Sequence, residues 1–177
     1  MVKYKYYISN KLGEIMDNIA KALDELIRIF KDDFSEIDEQ ISSYRISEDN
    51  WTLKEIIGHL IDSASNNHQR FVRLQLSEVM EFPDYHNDEW LRIQNYQNMC
   101  FSDLLLLFYY YNKLIVNIIL NLNEKCLVHR WNTNWDENST FSTLESLLNH
   151  YVSHMKSHLT HFRERLEELE NCDIQNI

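Results

Sequence analysis

Residues 150–161 read HYVSHMKSHLTH and place His150, His154, His158 and His161 in one short stretch. Neutral imidazole is a good ligand for zinc, nickel or iron(II). His154 and His158 are four residues apart, so on a helix they stack on one face and can reach one ion. The same HxxxH spacing serves helical zinc sites. Leu144, Leu147, Leu148, Tyr151, Met155, Leu159, Phe162 and Leu166 form the apolar stripe of this segment. At about 100° per residue, His158 falls about 60° from the stripe centre, His154 about 100°, His161 about 120° and His150 about 140°. His154 and His158 are therefore the inner pair, and a third ligand must come from another element. His59 and His68 both lie on the second apolar segment. Periodicity favours His68, at about 50° from that segment's stripe, over His59 at about 130°. The competing reading of all these histidines is a protonation-sensitive surface.

Four helices are expected to position these groups. The first spans roughly Asn10 to Lys31, with Asn10 as its N-cap and Leu12, Ile15, Ile19, Leu23, Leu26 and Phe30 at helical spacing. The second spans roughly Thr52 to Met80 and opens with a TLKE capping box. The third spans roughly Ser102 to Leu122, with a heptad-like stripe of Leu104, Leu107, Phe108, Tyr111, Leu114, Ile115, Ile118 and Leu122. The fourth spans roughly Ser142 to Glu170 and opens STLE, a second capping box. The links 32–51, 81–96 and 123–141 are long for a simple up-down bundle. Trp131, Trp135 and Tyr85 within them are candidates for a pocket mouth. The expected fold is all-α, a four-helix bundle with long connecting loops, in one domain over 1–177.

Composition narrows the function. The chain has 177 residues, with only 2 Gly and 1 Pro, which disfavours a turn-rich sheet fold. The net charge of -11 repels phosphate backbones, and there is no basic patch, so nucleic acid is not an expected partner. Cys100, Cys126 and Cys172 form no CxxC pair, as in a reduced, cytoplasmic protein. The most apolar segment, 104–122, is interrupted by Asn112, Lys113, Asn117 and Asn121, so a bundle helix is expected there and not a membrane span. Tyr109, Tyr110 and Tyr111 widen its apolar face, which suits either extra core or a homodimer surface.

Two stretches together, WTLKEIIGHLIDSASNNHQRFVRL (51–74) and YVSHMKSHLTHFRERL (151–166), resemble the DinB superfamily of four-helix bundles. The nearer likeness is to its YfiT-like branch, which includes bacillithiol S-transferases and metal-dependent hydrolases. The matching positions are Trp51-Thr52, then His59-Leu60-Ile61-Asp62, then Tyr151, His154, His158 and His161. HNDEW at 86–90 is also similar to that branch's acidic-aromatic stretch. The resemblance implies a divalent metal on His59, His154 and His158. It thus selects His59 where periodicity favours His68. Gly58 points the same way, because a helical glycine costs about 1 kcal/mol and suggests close packing beside a ligand. The chain departs from the branch at Gly58 and at Met155, Lys156 and Ser157, where histidines are common.

Three imidazoles leave coordination positions open, the pattern of a catalytic rather than a structural site. Zinc or nickel is the expected ion. A thiol there becomes a thiolate and water becomes a nucleophile near pH 7. The resemblance favours transfer of a low-molecular-weight thiol, such as bacillithiol, to an electrophilic substrate. Metal-dependent hydrolysis is the alternative, and a non-catalytic binding protein is a third. Asp62 and His161 are the candidate catalytic residues beside the ligands. Asp62 could accept a ligand N–H, and His161 could serve in acid-base steps. A packing carboxylate and a surface histidine are the competing readings. Arg70 and Arg73 could bind a substrate carboxylate, or be salt-bridged on the helix surface.

Overall fold

The computed structural model describes residues 2–132 and 142–172. Its helices are α1 (Val2–Asp33), α2 (Glu39–Ser43), α3 (Leu53–Arg73), α4 (Asn87–Gln94), α5 (Phe101–Leu120) and α6 (Leu144–Asn171). Three short strands, β1 (Val79–Glu81), β2 (Arg130–Asn132) and β3 (Ser142–Thr143), join into one sheet. The fold is mostly α, and its four long helices are the four expected from the apolar stripes.

Around the bundle the long helices pack in the order α1, α5, α3, α6, with α6 closing onto α1. Successive long helices are therefore diagonal at two of the three connections, α1 to α3 and α5 to α6. A diagonal link must cross the end of the bundle, which accounts for its length. Phe30 of α1, Phe108 of α5 and Phe162 of α6 meet edge to face at one end, with ring centroids 5.1 and 5.7 Å from Phe30. Tyr151 of α6 is fully buried and donates to Asn112 Oδ1 of α5 at 2.6 Å. Asn112 Nδ2 in turn donates to the Phe108 carbonyl. This satisfied polar pair is worth about 1 kcal/mol inside the core.

Several boundaries differ from the sequence expectations. The first helix begins at Val2, well before Asn10, so Asn10 is inside it and is not its cap. The second helix stops at Arg73, capped through Leu74 N–H to the Arg70 carbonyl. Met80, the expected end of that helix, instead pairs with Trp131 across a parallel β1–β2 ladder. A strand of three residues is too short to show a period of two. Thr52 and Glu55 do form the reciprocal capping box. At the fourth helix the cap is Thr143, which accepts from Ser146 N, while Ser142 pairs in β3.

On α5 the buried face is Leu104, Leu105, Phe108, Asn112, Ile115, Val116 and Ile119. Leu107 and Leu114, placed in the stripe by heptad spacing, are 44% and 45% exposed. Both α1 and α3 lie against α5, so its buried arc is rotated and wider than a coiled-coil seam. Among the described residues α5 is the one helix long and apolar enough to cross a membrane, and here it packs within the bundle.

Candidate metal centre

The capping box fixes where α3 begins and so sets the rotation of His59. Two turns into the helix, His59 is buried with 4% exposure, under the Trp51 ring, whose centroid is 5.1 Å from its own. Trp51 is held by donating to Asp88 Oδ1 at 3.2 Å. From α6, His154 and His158 face the same point. The His59 and His154 Nε2 atoms are 3.3 Å apart. Ring centroids are 4.7 Å apart for His59–His158 and 4.4 Å for His154–His158. One ligand nitrogen from each of the three lies within 4.8 Å of the others.

Burial pushes His59 and His154 down to about 4 and His158 to about 3, with the neighbouring histidines adding to the fall. The neutral form of each is thus favoured at pH 7, and one ring nitrogen from each crowds the same point. Such an arrangement is repulsive unless a proton or a cation is shared. Two imidazoles bound tetrahedrally to one zinc at about 2.0–2.1 Å would place their nitrogens about 3.3–3.4 Å apart. The His59–His154 separation fits that value. The Nδ1 atoms of His59 and His158 are buried with no hydrogen-bond partner among the described residues.

The structure brings His59, His154 and His158 together and leaves His68 out. His68 lies on another side of α3, against Tyr111 of α5 at 5.7 Å between centroids. His161 is partly buried one turn beyond His158, with centroids 6.1 Å apart, and is outside the trio. Among the described residues, Asp62 accepts no hydrogen bond from the three histidines, contrary to the role expected of it. It is 2% exposed, accepts from Tyr96 Oη at 2.6 Å and from Gln94 Nε2, and has an unpartnered Oδ2. Burial raises its pKa, against the pull of these two donors. Gly58 is packed under the Tyr96 ring, where any Cβ would collide with it. Glycine is thus required to admit the residue that holds Asp62.

A cleft of about 250 Å³ opens beside His59 and His154. Its α3 wall carries Ser63, Asn67 and Arg70, and its α6 wall carries Leu147, His150 and Tyr151. The segment after β1 closes it with Asp84, Tyr85 and Asn87. Tyr85 thus reaches the cleft, as expected from the sequence. Trp131 is fully buried behind Arg70, with the guanidinium carbon 3.8 Å from its ring centroid. Trp135 lies outside the described residues. Arg70 is ion-paired to Asp84 at 3.0 Å, whereas Arg73 is exposed and bonded to Gln69. Asp84, Ser63 and Asn67 were not singled out from the sequence. A signal was present for two of them: His59, Ser63, Asn67 and Arg70 recur at four, four and three residues, which places them within about 80° of arc on one helix face.

No family model matches the chain. A Bacillus mycoides (strain KBAB4) protein, provisionally named a metal-dependent hydrolase, is 23% identical over 165 residues, covering 90% of this chain and 92% of the relative. Among solved structures, YfiT of Bacillus subtilis superposes with a TM-score of 0.78 at 20% identity, covering 89% of each chain. It is described as having an unusual four-helix bundle topology and the same provisional activity. The chain has the YfiT-like fold. The resemblance to that branch, read first from the motifs around His59 and His154, holds in the curated relative and in the architecture. The diagonal placement of successive long helices is the feature that distinguishes this bundle from a simple up-down one.

Proposed function

We propose that the chain is a metal-dependent enzyme in which His59, His154 and His158 hold a divalent ion, and that its reaction is transfer of a small thiol to an electrophile. The convergence of three imidazoles, His59 buried and His154 and His158 half-buried, beside an open cleft carries this reading. The provisional names of the two similar proteins support its metal-dependent part. A divalent ion supplies Lewis acidity, which brings the acidity of a thiol or of water into the neutral range. The thiol then yields its proton to solvent. Its sulfur attacks an electrophilic carbon, a C–S bond forms, and the leaving group departs with the electron pair of the broken bond.

The motif resemblance around His59 and His154 inclines the reading to thiol transfer over hydrolysis. A hydrolase needs a general base or acid within hydrogen-bond reach of the reacting atoms. Asp62 holds Tyr96 and Gln94 through Oδ1, whereas Asp84, paired to Arg70, is part-exposed in the cleft and is the carboxylate placed for such a role. Hydrolysis is the second reading, supported by the names of the two relatives.

The test is to incubate zinc- or nickel-loaded protein with monochlorobimane and bacillithiol, cysteine or glutathione. Conjugation above the uncatalysed rate, abolished by His158→Ala, is the expected result. Rates equal to background with every thiol, together with turnover of an ester or amide panel, would select hydrolysis instead.

A further inference from the structure

The cleft has a second built feature beyond the histidines. The carboxylate of Asp84 lines it and is 32% exposed, while its partner Arg70 is 5% exposed. Three contacts fix this pair. Arg70 Nη2 donates to Asp84 Oδ1 at 3.0 Å. The guanidinium stacks on the fully buried Trp131 at 3.8 Å. Trp131 Nε1 donates to the Phe82 carbonyl at 3.0 Å, and β1–β2 pairing anchors the chain immediately before it. A buried cation thus orients an accessible anion, and the cleft sees mainly the negative end of the pair.

The other wall groups, Ser63, Asn67 and Asn87, are uncharged, and His150, Tyr85 and the buried Tyr151 are the remaining titratable ones outside the metal centre and the Arg70–Asp84 pair. With a divalent ion on the trio, the cleft would be positive at its floor and negative at Asp84. At about 250 Å³ it is smaller than the usual 300–1,000 Å³ range of ligand pockets, so its ligand is small. A complementary ligand is anionic where it meets the metal and cationic where it meets Asp84. Resting on the thiol-transfer reading, we infer that the thiol taken by this site is an aminothiol, and that Asp84 is a specificity-determining residue that pairs with its ammonium group. Arg70 is the positioning residue for that carboxylate, not a docking point for a substrate acid.

The probe is protein loaded with cobalt(II), in which thiolate binding produces a near-ultraviolet charge-transfer band. Cysteamine, 2-mercaptoethanol and 3-mercaptopropionate are titrated in turn, giving a cationic, a neutral and an anionic thiol. Asp84→Asn is expected to weaken cysteamine by about five-fold while leaving 2-mercaptoethanol unchanged and 3-mercaptopropionate unchanged or tighter. A second measurement needs no variant: added salt should weaken cysteamine binding to the wild-type protein more than 2-mercaptoethanol binding. Equal losses for all three thiols in the variant, equal salt dependence, or tightest binding of 3-mercaptopropionate would overturn the inference and leave thiol transfer standing. If no thiol produces the band, thiol transfer and the inference fall together.

Discussion

The Nε2 atoms of His59 on α3 and His154 on α6 lie 3.3 Å apart, although 95 residues separate them in the chain. Neither atom is placed by its own helix alone. The Thr52–Glu55 box sets the start of α3, Trp51 covers His59, and the buried Tyr151–Asn112 bond fixes α6 one turn before His154. The placement separates the two candidate ligands of the second helix. Alanine at His59 should remove metal binding, whereas alanine at His68 should preserve it, with each variant's metal content read by elemental analysis. Retention in His59→Ala and loss in His68→Ala would reverse the assignment.

The depressed basicity of the trio makes metal-free protein acid-sensitive. Each folded-state value, about 4 for His59 and His154 and about 3 for His158, lies below the ordinary histidine value of about 6.5. The unfolded chain therefore binds more protons than the folded one between these limits. Stability contributed by keeping the rings neutral is fully present above about pH 6.5 and is lost as pH falls toward 4. Melting temperature of the apoprotein should drop over that window, and the triple variant with Gln at all three positions should show a shallower drop. Identical pH profiles would contradict the depressed basicity of the rings.

Gly58 should not tolerate a side chain. A Cβ there meets the Tyr96 ring, and moving that ring withdraws the hydroxyl from Asp62. Gly58→Ala is expected to lower the unfolding free energy by about 1–3 kcal/mol, despite the better helix propensity of alanine. Tyr96→Phe should cost about 1–3 kcal/mol, because buried Asp62 loses a donor. Urea unfolding measures both, and a stabilised Gly58→Ala protein would contradict the packing.

How much of this was legible in the sequence differs between the two ligand-bearing helices. On α6 the apolar stripe faces one way and the polar residues another, so angular position correctly brought His154 and His158 inward and left His150 exposed. On α3 every residue from Thr52 to Ala64 except Glu55 is buried, because α2, α4, α5, α6 and the one-turn 3-10 helix Tyr96–Asn98 surround it. A helix buried on all sides has no stripe centre, and periodicity then cannot rank His59 against His68. The motif resemblance did so. The sheet was missed because pairing of such short strands rests on contacts across the chain, Met80 to Trp131 and Trp131 to Ser142. Asp84 was missed for the same reason: its role depends on Arg70 and Trp131, neither of which is near it in sequence.

The one-residue shift at the start of α6 has its own test. Thr143 accepts from Ser146 N at 3.2 Å, while Ser142 belongs to the sheet. Thr143→Ala should therefore cost about 1 kcal/mol of stability, and Ser142→Ala should cost less. Denaturation midpoints of the two variants decide it, and a larger loss for Ser142→Ala would restore the cap to that residue.

The central claim is that three imidazoles from α3 and α6 share one divalent ion. Untagged protein stripped with chelator and titrated calorimetrically with zinc tests it most directly. One ion per chain should bind in wild type, and none in His59→Ala, His154→Ala or His158→Ala. Absence of binding to the wild type, or binding that survives replacement of all three histidines, would contradict it.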